Sequence, residues 1–196
     1  MRDMRAQAMR WTWRIGAATF GVLIAAASAV PAAEREHGPH VHGVGQLNVA
    51  AEGKVVEVEL IAPGADVVGF EHRAENDADK TAVAAAEATL KAGDRLFAFP
   101  GEAGCRLGNT DIKSMMVEDD DHEEEEDAHK DADAHEAHAS FHAHYQFLCD
   151  SLDRLEHLDV KLFERFPSMR TLQVQVISPR GQGARELTPA SPRLRF

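Results

Sequence analysis

Cysteine is nearly absent from this chain: Cys105 and Cys149 are the only two in 196 residues. Neither belongs to a Cys-x-x-Cys pair, which argues against thiolate zinc or copper sites. There is no G-x-S-x-G elbow, no phosphate-binding loop and no sign of a reactive cysteine. The nearest approach to the zinc-protease pattern H-E-x-x-H is His135-Glu136-Ala137-His138-Ala139, where Ala139 stands in place of the second ligand. A zinc-dependent hydrolase is therefore the weakest of the metal readings. The six methionines form no thioether array, which disfavours Cu(I). Positive charge is scarce too, with 21 Lys and Arg against 33 Asp and Glu for a formal net charge of −12. Such a surface repels nucleic acid and anionic lipid and attracts cations.

Long apolar runs are also lacking. The one candidate, Ile15 to Ala29, is about 15 residues against the roughly 20 that a membrane span needs. Arg2, Arg5, Arg10 and Arg14 precede it, and small residues follow at Ala27-Ser28-Ala29 and Val30-Pro31-Ala32. Residues 1–33 thus read as a secretory signal peptide, with cleavage between 29 and 33 and no cysteine to accept a lipid. The Arg-rich start and Ala-rich core point to a Gram-negative bacterium, hence to the periplasm, with no membrane contact after cleavage. Removing four arginines and one aspartate takes the formal charge from −12 to −15. Residues 34–196 are then one domain's worth of chain. In an oxidising compartment Cys105 and Cys149 are expected to form a disulfide, joining the strands on either side of an acidic stretch and giving it a fixed base.

What the chain has in abundance is concentrated in that stretch. From Glu118 to Ser140 it reads EDDDHEEEEDAHKDADAHEAHAS, almost without core-forming residues. An acidic run alone is usually solvated chain, and length without structure of its own is uncommon inside a compact domain unless functional or disordered. Residues 118–140 are expected to be a flexible insert. The interleaved His122, His129, His135 and His138 make it a metal-attracting tract as well, since imidazole and carboxylate together suit Zn²⁺. His142 and His144 follow, and His37, His40 and His42 form a second window, so nine of the eleven histidines fall in two short segments.

The rest of the mature chain predicts an α+β fold, a mainly antiparallel sheet with one main helix packed on it. Val41 to Ala62 reads as a hairpin turning at Glu52-Gly53. Asp66 to Arg73 reads as a loop whose Val67, Val68 and Phe70 plug the core. Asn76 to Lys91 is the helix, with Asp77 as its cap, Val83, Ala86 and Leu90 as its apolar face, and Gly93 after the last turn. Leu96 to Pro100, Gly104 to Leu107 and Thr110 to Val117 read as strands. Past the insert, Phe141, Ala143, Tyr145, Phe147 and Cys149 alternate with His142, His144 and Gln146. Arg154 to Phe166 mixes a helical turn with an extended piece, Thr171 to Ile177 alternates again, and a turn at residues 179–182 leads into short C-terminal strands.

Two pairs stand out as ligands. His142 and His144, two apart on a strand, lie on one side with Cα atoms roughly 6 to 7 Å apart, close enough to share a zinc. The alternative is a plain solvent-facing polar pair. His40 and His42 repeat the spacing at the start of the first strand, where the alternative is a frayed terminus. If these two strands were neighbours, four imidazoles would converge. His135, His138 and His142 would align were their segment helical. His72 is a further candidate, though a histidine beside a core plug is commonly structural, and His157 reads as an ordinary surface residue. Nitrogen and carboxylate donors favour Zn²⁺ but bind Ni²⁺ and Cu²⁺ as well, so broad nickel or copper sequestration is the alternative to zinc supply.

Several segments together carry a family resemblance: HVHGVGQLNVAAEG, APGADVVGFEH, the alanine-rich helix, Leu96-Phe97, Cys105, the His/Asp/Glu-rich insert, FHAHYQFLC, and LFERFP through the terminal LTP. The mature chain resembles the ZrgA-like, zinc-regulated periplasmic zinc-binding proteins. That resemblance implies a non-enzymatic protein that binds Zn²⁺ and supports uptake through a high-affinity zinc ABC transporter, with the transporter's periplasmic binding protein as partner. It makes His40, His42, His142, His144 and the insert histidines the places to look.

Overall fold

The computed structural model describes residues 41–116 and 139–196. The leader at 1–33, His37, His40, and the insert histidines His122, His129, His135 and His138 lie outside the described residues. Among the described residues nine strands and four short or medium α-helices follow one another: β1 (Val44–Glu52), β2 (Val55–Pro63), α1 (Gly64–Val67), α2 (Asp77–Lys91), α3 (Gly93–Leu96), β3 (Phe97–Ala98), β4 (Arg106–Ser114), β5 (Ser140–Leu148), β6 (His157–Val160), α4 (Leu162–Arg165), β7 (Thr171–Ser178), β8 (Gly181–Leu187) and β9 (Arg193–Arg195). The main sheet has six strands in the order β4-β5-β2-β1-β7-β8, and a three-stranded sheet has the order β3-β6-β9. Every pairing is antiparallel except β1 with β7. This is the expected α+β architecture, with one interior parallel pair that strand patterning did not reveal.

Alternation explains the layering. Leu47, Val49 and Ala51 on β1, Val56, Val58 and Leu60 on β2, and Phe141, Ala143, Tyr145 and Phe147 on β5 all point to one buried face. Helix α2 covers part of that face with Val83, Ala86 and Leu90. Phe97 of β3 meets Tyr145 edge-on at 5.0 Å and Phe99 meets Phe147 at 4.8 Å, so the small sheet closes the same core. Edge-to-face aromatic pairs add about 0.5–1.5 kcal/mol each beyond the area they bury. Tyr145 donates its hydroxyl to the Leu90 carbonyl at 3.0 Å, satisfying an acceptor in the last turn of α2. Its burial pushes the phenol pKa well above the ordinary value.

Local expectations are refined at four places. Asn76, not Asp77, caps α2: its side chain accepts from the Asp79 amide at 2.9 Å, and Asp77 becomes the first helical residue, where its charge favours the helix dipole. Gly93 follows the last turn of α2 as expected, but it also opens α3 and its φ is not left-handed. Glycine is needed there because a Cβ would stand 2.5 Å from Cδ1 of Tyr145. The segment from Leu96 to Pro100 yields only a two-residue strand, since Leu96 closes α3. The two strands expected at 104–107 and 110–117 are one strand, β4, with a register shift between Leu107 and Asn109.

The ends of the hairpin β4–β5 differ from expectation as well. Cys105 and Cys149 are disulfide-bonded, but at the end of the strands away from the insert, beside the tight turn where Lys54 accepts from the Cys149 amide. The insert's roots are held instead by backbone hydrogen bonds: Gly64 N–H to Ala139 O at 2.6 Å, Ala74 N–H to Met116 O at 2.9 Å, and Met115 N–H to Ser140 O at 3.0 Å. Ser140, expected at the end of the insert, is a buried residue of β5 only 2% exposed.

Candidate metal centre

The face of the main sheet opposite the core is polar, and register determines what stands beside each histidine. His144 on β5 lies directly opposite Glu59 on β2 and Asp111 on β4. Directly opposed residues place their Cβ atoms about 4.5–5.5 Å apart. One imidazole is therefore flanked by a carboxylate on each side, with Glu57 one step along β2 on the same face. His144 Nε2 is 3.1 Å from Glu57 Oε2, an oxygen that is itself buried and without an aligned hydrogen bond. Glu57 Oε1 accepts from Gln146 at 2.9 Å, and Glu59 accepts from Asn48 at 2.8 Å. These amides fix the carboxylates in place. His142 shares the face, half-buried, opposite Lys113 and Ile61, and its Nε2 is 3.2 Å from Ser140 Oγ.

His42 stands at one end of the sheet, in the turn before β1. That turn depends on Gly43, whose φ of +84° is left-handed backbone that glycine adopts freely. Its carbonyl accepts from the amides of Arg170 and Thr171 at 2.8 Å each, and its N–H donates to Asp66 Oδ1 at 2.7 Å. The clamped turn aims His42 at the loop after α1, where its Nε2 is 2.9 Å from Glu71 Oε2. The Glu71 contact raises the His42 pKa above its ordinary value. Burial raises the Asp66 pKa as well, only partly offset by the Gly43 hydrogen bond and by His42.

Both imidazole–carboxylate contacts are close to the donor separation of a zinc tetrahedron, whose edge is about 3.3 Å for bonds near 2.0 Å. Among the described residues, however, no three His, Cys, Asp or Glu side chains are grouped tightly enough to hold an ion as they stand. The two sites are also separate. β2 lies between β1 and β5, and His142 falls in the row of Gln46 rather than of His42. The first strand and β5 are therefore not neighbours, which was the condition for their imidazoles to converge, and His42 lies away from His142 and His144.

His72 directly follows Glu71 in the loop after α1. Its ring stacks on Phe70 at 4.6 Å, and Nδ1 donates to the Arg73 carbonyl at 2.8 Å, which leaves Nε2 as the ring's lone-pair nitrogen. Glu57, Glu59, Asp111, Asp66 and Glu71 were not foreseen as neighbours of histidines. The alternation of β2 put Glu57 and Glu59 on the face away from the core, but only the strand order puts that face beside β5. Among the described residues no helix is long and apolar enough to cross a membrane. No curated protein matches the chain. Residues 39–196 match one known family, described as the ZrgA family zinc uptake protein.

Proposed function

Because the chain belongs to the ZrgA family of zinc uptake proteins, we propose that it is a periplasmic protein that captures or buffers Zn²⁺. It hands the ion to the periplasmic binding protein of a high-affinity zinc ABC transporter and catalyses no reaction. The observation that carries this reading is His144 between Glu59 and Asp111, with Glu57 at 3.1 Å and His142 on the same open face. Such a face offers nitrogen and oxygen donors to an ion approaching from solvent and imposes little barrier to its departure. The acidic tract with His122, His129, His135 and His138 raises the local concentration of cations, while His37, His40, His42 and His72 supply further donors. The residues of 1–33 act as the export signal.

Binding should weaken as pH falls through about 6.5, where imidazoles protonate. Equilibrium dialysis at neutral pH tests the reading: bound zinc at micromolar free metal is expected, and none would overturn it. Titration with and without residues 118–138 separates the weak sites of the tract from those on the sheet. Competition by Ni²⁺ and Cu²⁺, together with metal-dependent expression, decides between zinc supply and broad metal sequestration.

A further inference from the structure

We propose that Asp66 is the buried third donor of a divalent-cation site completed by His42 and Glu71. The inference rests on the zinc-binding reading above and adds to it a defined site at the end of the sheet. Asp66 is 4% exposed. Its Oδ1 takes the Gly43 amide at 2.7 Å, while Oδ2 is buried with no hydrogen-bond partner. A sealed carboxylate oxygen without a partner is expensive, and native structures keep few of them. The fold itself uses only Oδ1, a task an asparagine would perform equally well. The second oxygen is left without a hydrogen-bond partner inside the fold.

A cation gives that oxygen a partner. The Gly43 amide belongs to the peptide bond that follows His42, so the Asp66 carboxylate lies against the backbone that carries the imidazole. Glu71 is already paired with that imidazole at 2.9 Å. The His42 side chain is 68% exposed and that of Glu71 is 37% exposed, so both can change rotamer with little hindrance to meet an ion held at Asp66. Asp66 is the fixed donor and the other two are adjustable. One nitrogen and two carboxylate oxygens, with a fourth position open to water, is a donor set for a borderline ion such as Zn²⁺ rather than for Ca²⁺ or Mg²⁺.

The decisive measurement follows the His42 ring nitrogens by ¹H–¹⁵N NMR while Zn²⁺ is added to the full chain. Their resonances are assigned by comparison with His42→Ala. In the wild-type protein they should shift at low zinc, and in Asp66→Asn the same shift should need at least tenfold more metal. Glu71→Gln, at an exposed position, should weaken the response in the same direction, and thermal melting of the metal-free variants checks that each is folded. Identical zinc dependence in wild type and both variants overturns the site. So does a His42 ring that stays put while other histidines shift, an outcome that leaves the zinc-binding function standing. If no histidine of the wild-type protein responds, the functional reading itself has failed.

Discussion

Replacing Cys105 and Cys149 together by alanine removes a bridge between residues 44 apart in sequence. In the chain-entropy treatment a loop of about 45 residues contributes about 4 kcal/mol, whatever the division of that effect between entropy and solvation. Alanine avoids placing a hydroxyl at position 149, which is buried. The insert supplies nearly half of the loop, yet the dependence on length is logarithmic. Deleting residues 118–138 shortens the loop to about 24 and should reduce the bridge's contribution by only about 0.6 kcal/mol. Urea denaturation followed by far-ultraviolet circular dichroism, on the four combinations of bridge and insert, measures these differences. Zinc affinity should change less than about threefold on loss of the bridge, because nine-residue strands separate the bridge from the insert's roots by about 27 Å. A double-alanine variant within 1 kcal/mol of the parent would refute the stability argument. A collapse of zinc affinity in a variant that remains folded would refute the separation of brace and site.

Three further outcomes are expected. Gly93→Ala forces a Cβ to within 2.5 Å of the Tyr145 ring and should destabilise the protein by about 1–3 kcal/mol in the same urea assay. His142→Ala with His144→Ala should reduce zinc binding by at least tenfold at the sheet while leaving the melting temperature nearly unchanged, since both residues lie on the face away from the core; calorimetric titration of the chain lacking 118–138 reads this directly. Asp159 is held below the usual carboxylate range by Arg193, which donates to it at 2.5 and 2.9 Å. Its lowered folded pKa means that the pair's stabilisation is present above about pH 4 and is lost as pH falls through the folded value. The stability gap between wild type and Asp159→Asn should therefore narrow in acid and persist at neutral pH.

Much of the fold was legible because burial follows period two. The alternation Phe141, Ala143, Tyr145, Phe147 placed His142 and His144 together on the opposite face, and the hairpin turn at Gly53 followed from glycine's freedom at positive φ. Strand order was not legible. Nothing local to β1 or β5 says that β2 will separate them, or that β7 will join β1 in parallel, because those choices are made by long-range packing. Hence the condition under which His42 would meet His142 and His144 is not fulfilled, while the carboxylates that do meet His144 were overlooked. Asp66 was hidden for another reason: a carboxylate in a short loop reads as solvent-facing, and only its contact with Gly43 reveals its burial. Gly93 was legible only as the residue after the last turn of α2, because a glycine required for clearance looks the same in sequence as one required for a left-handed cap.

The sheet also has a direction that matters to anyone handling the molecule. Gly43, Asp66 and both roots of the insert lie at one end, whereas the Gly53 turn and the disulfide lie at the other. The C-terminal Phe196 belongs to the second group: its amide bonds to the Glu156 carbonyl and it lies beside Ala51, Leu152 and Leu155. A tether fused after Phe196 would therefore present the histidine-bearing end outward, making the C-terminus the natural handle for anchoring this protein to a bead or electrode.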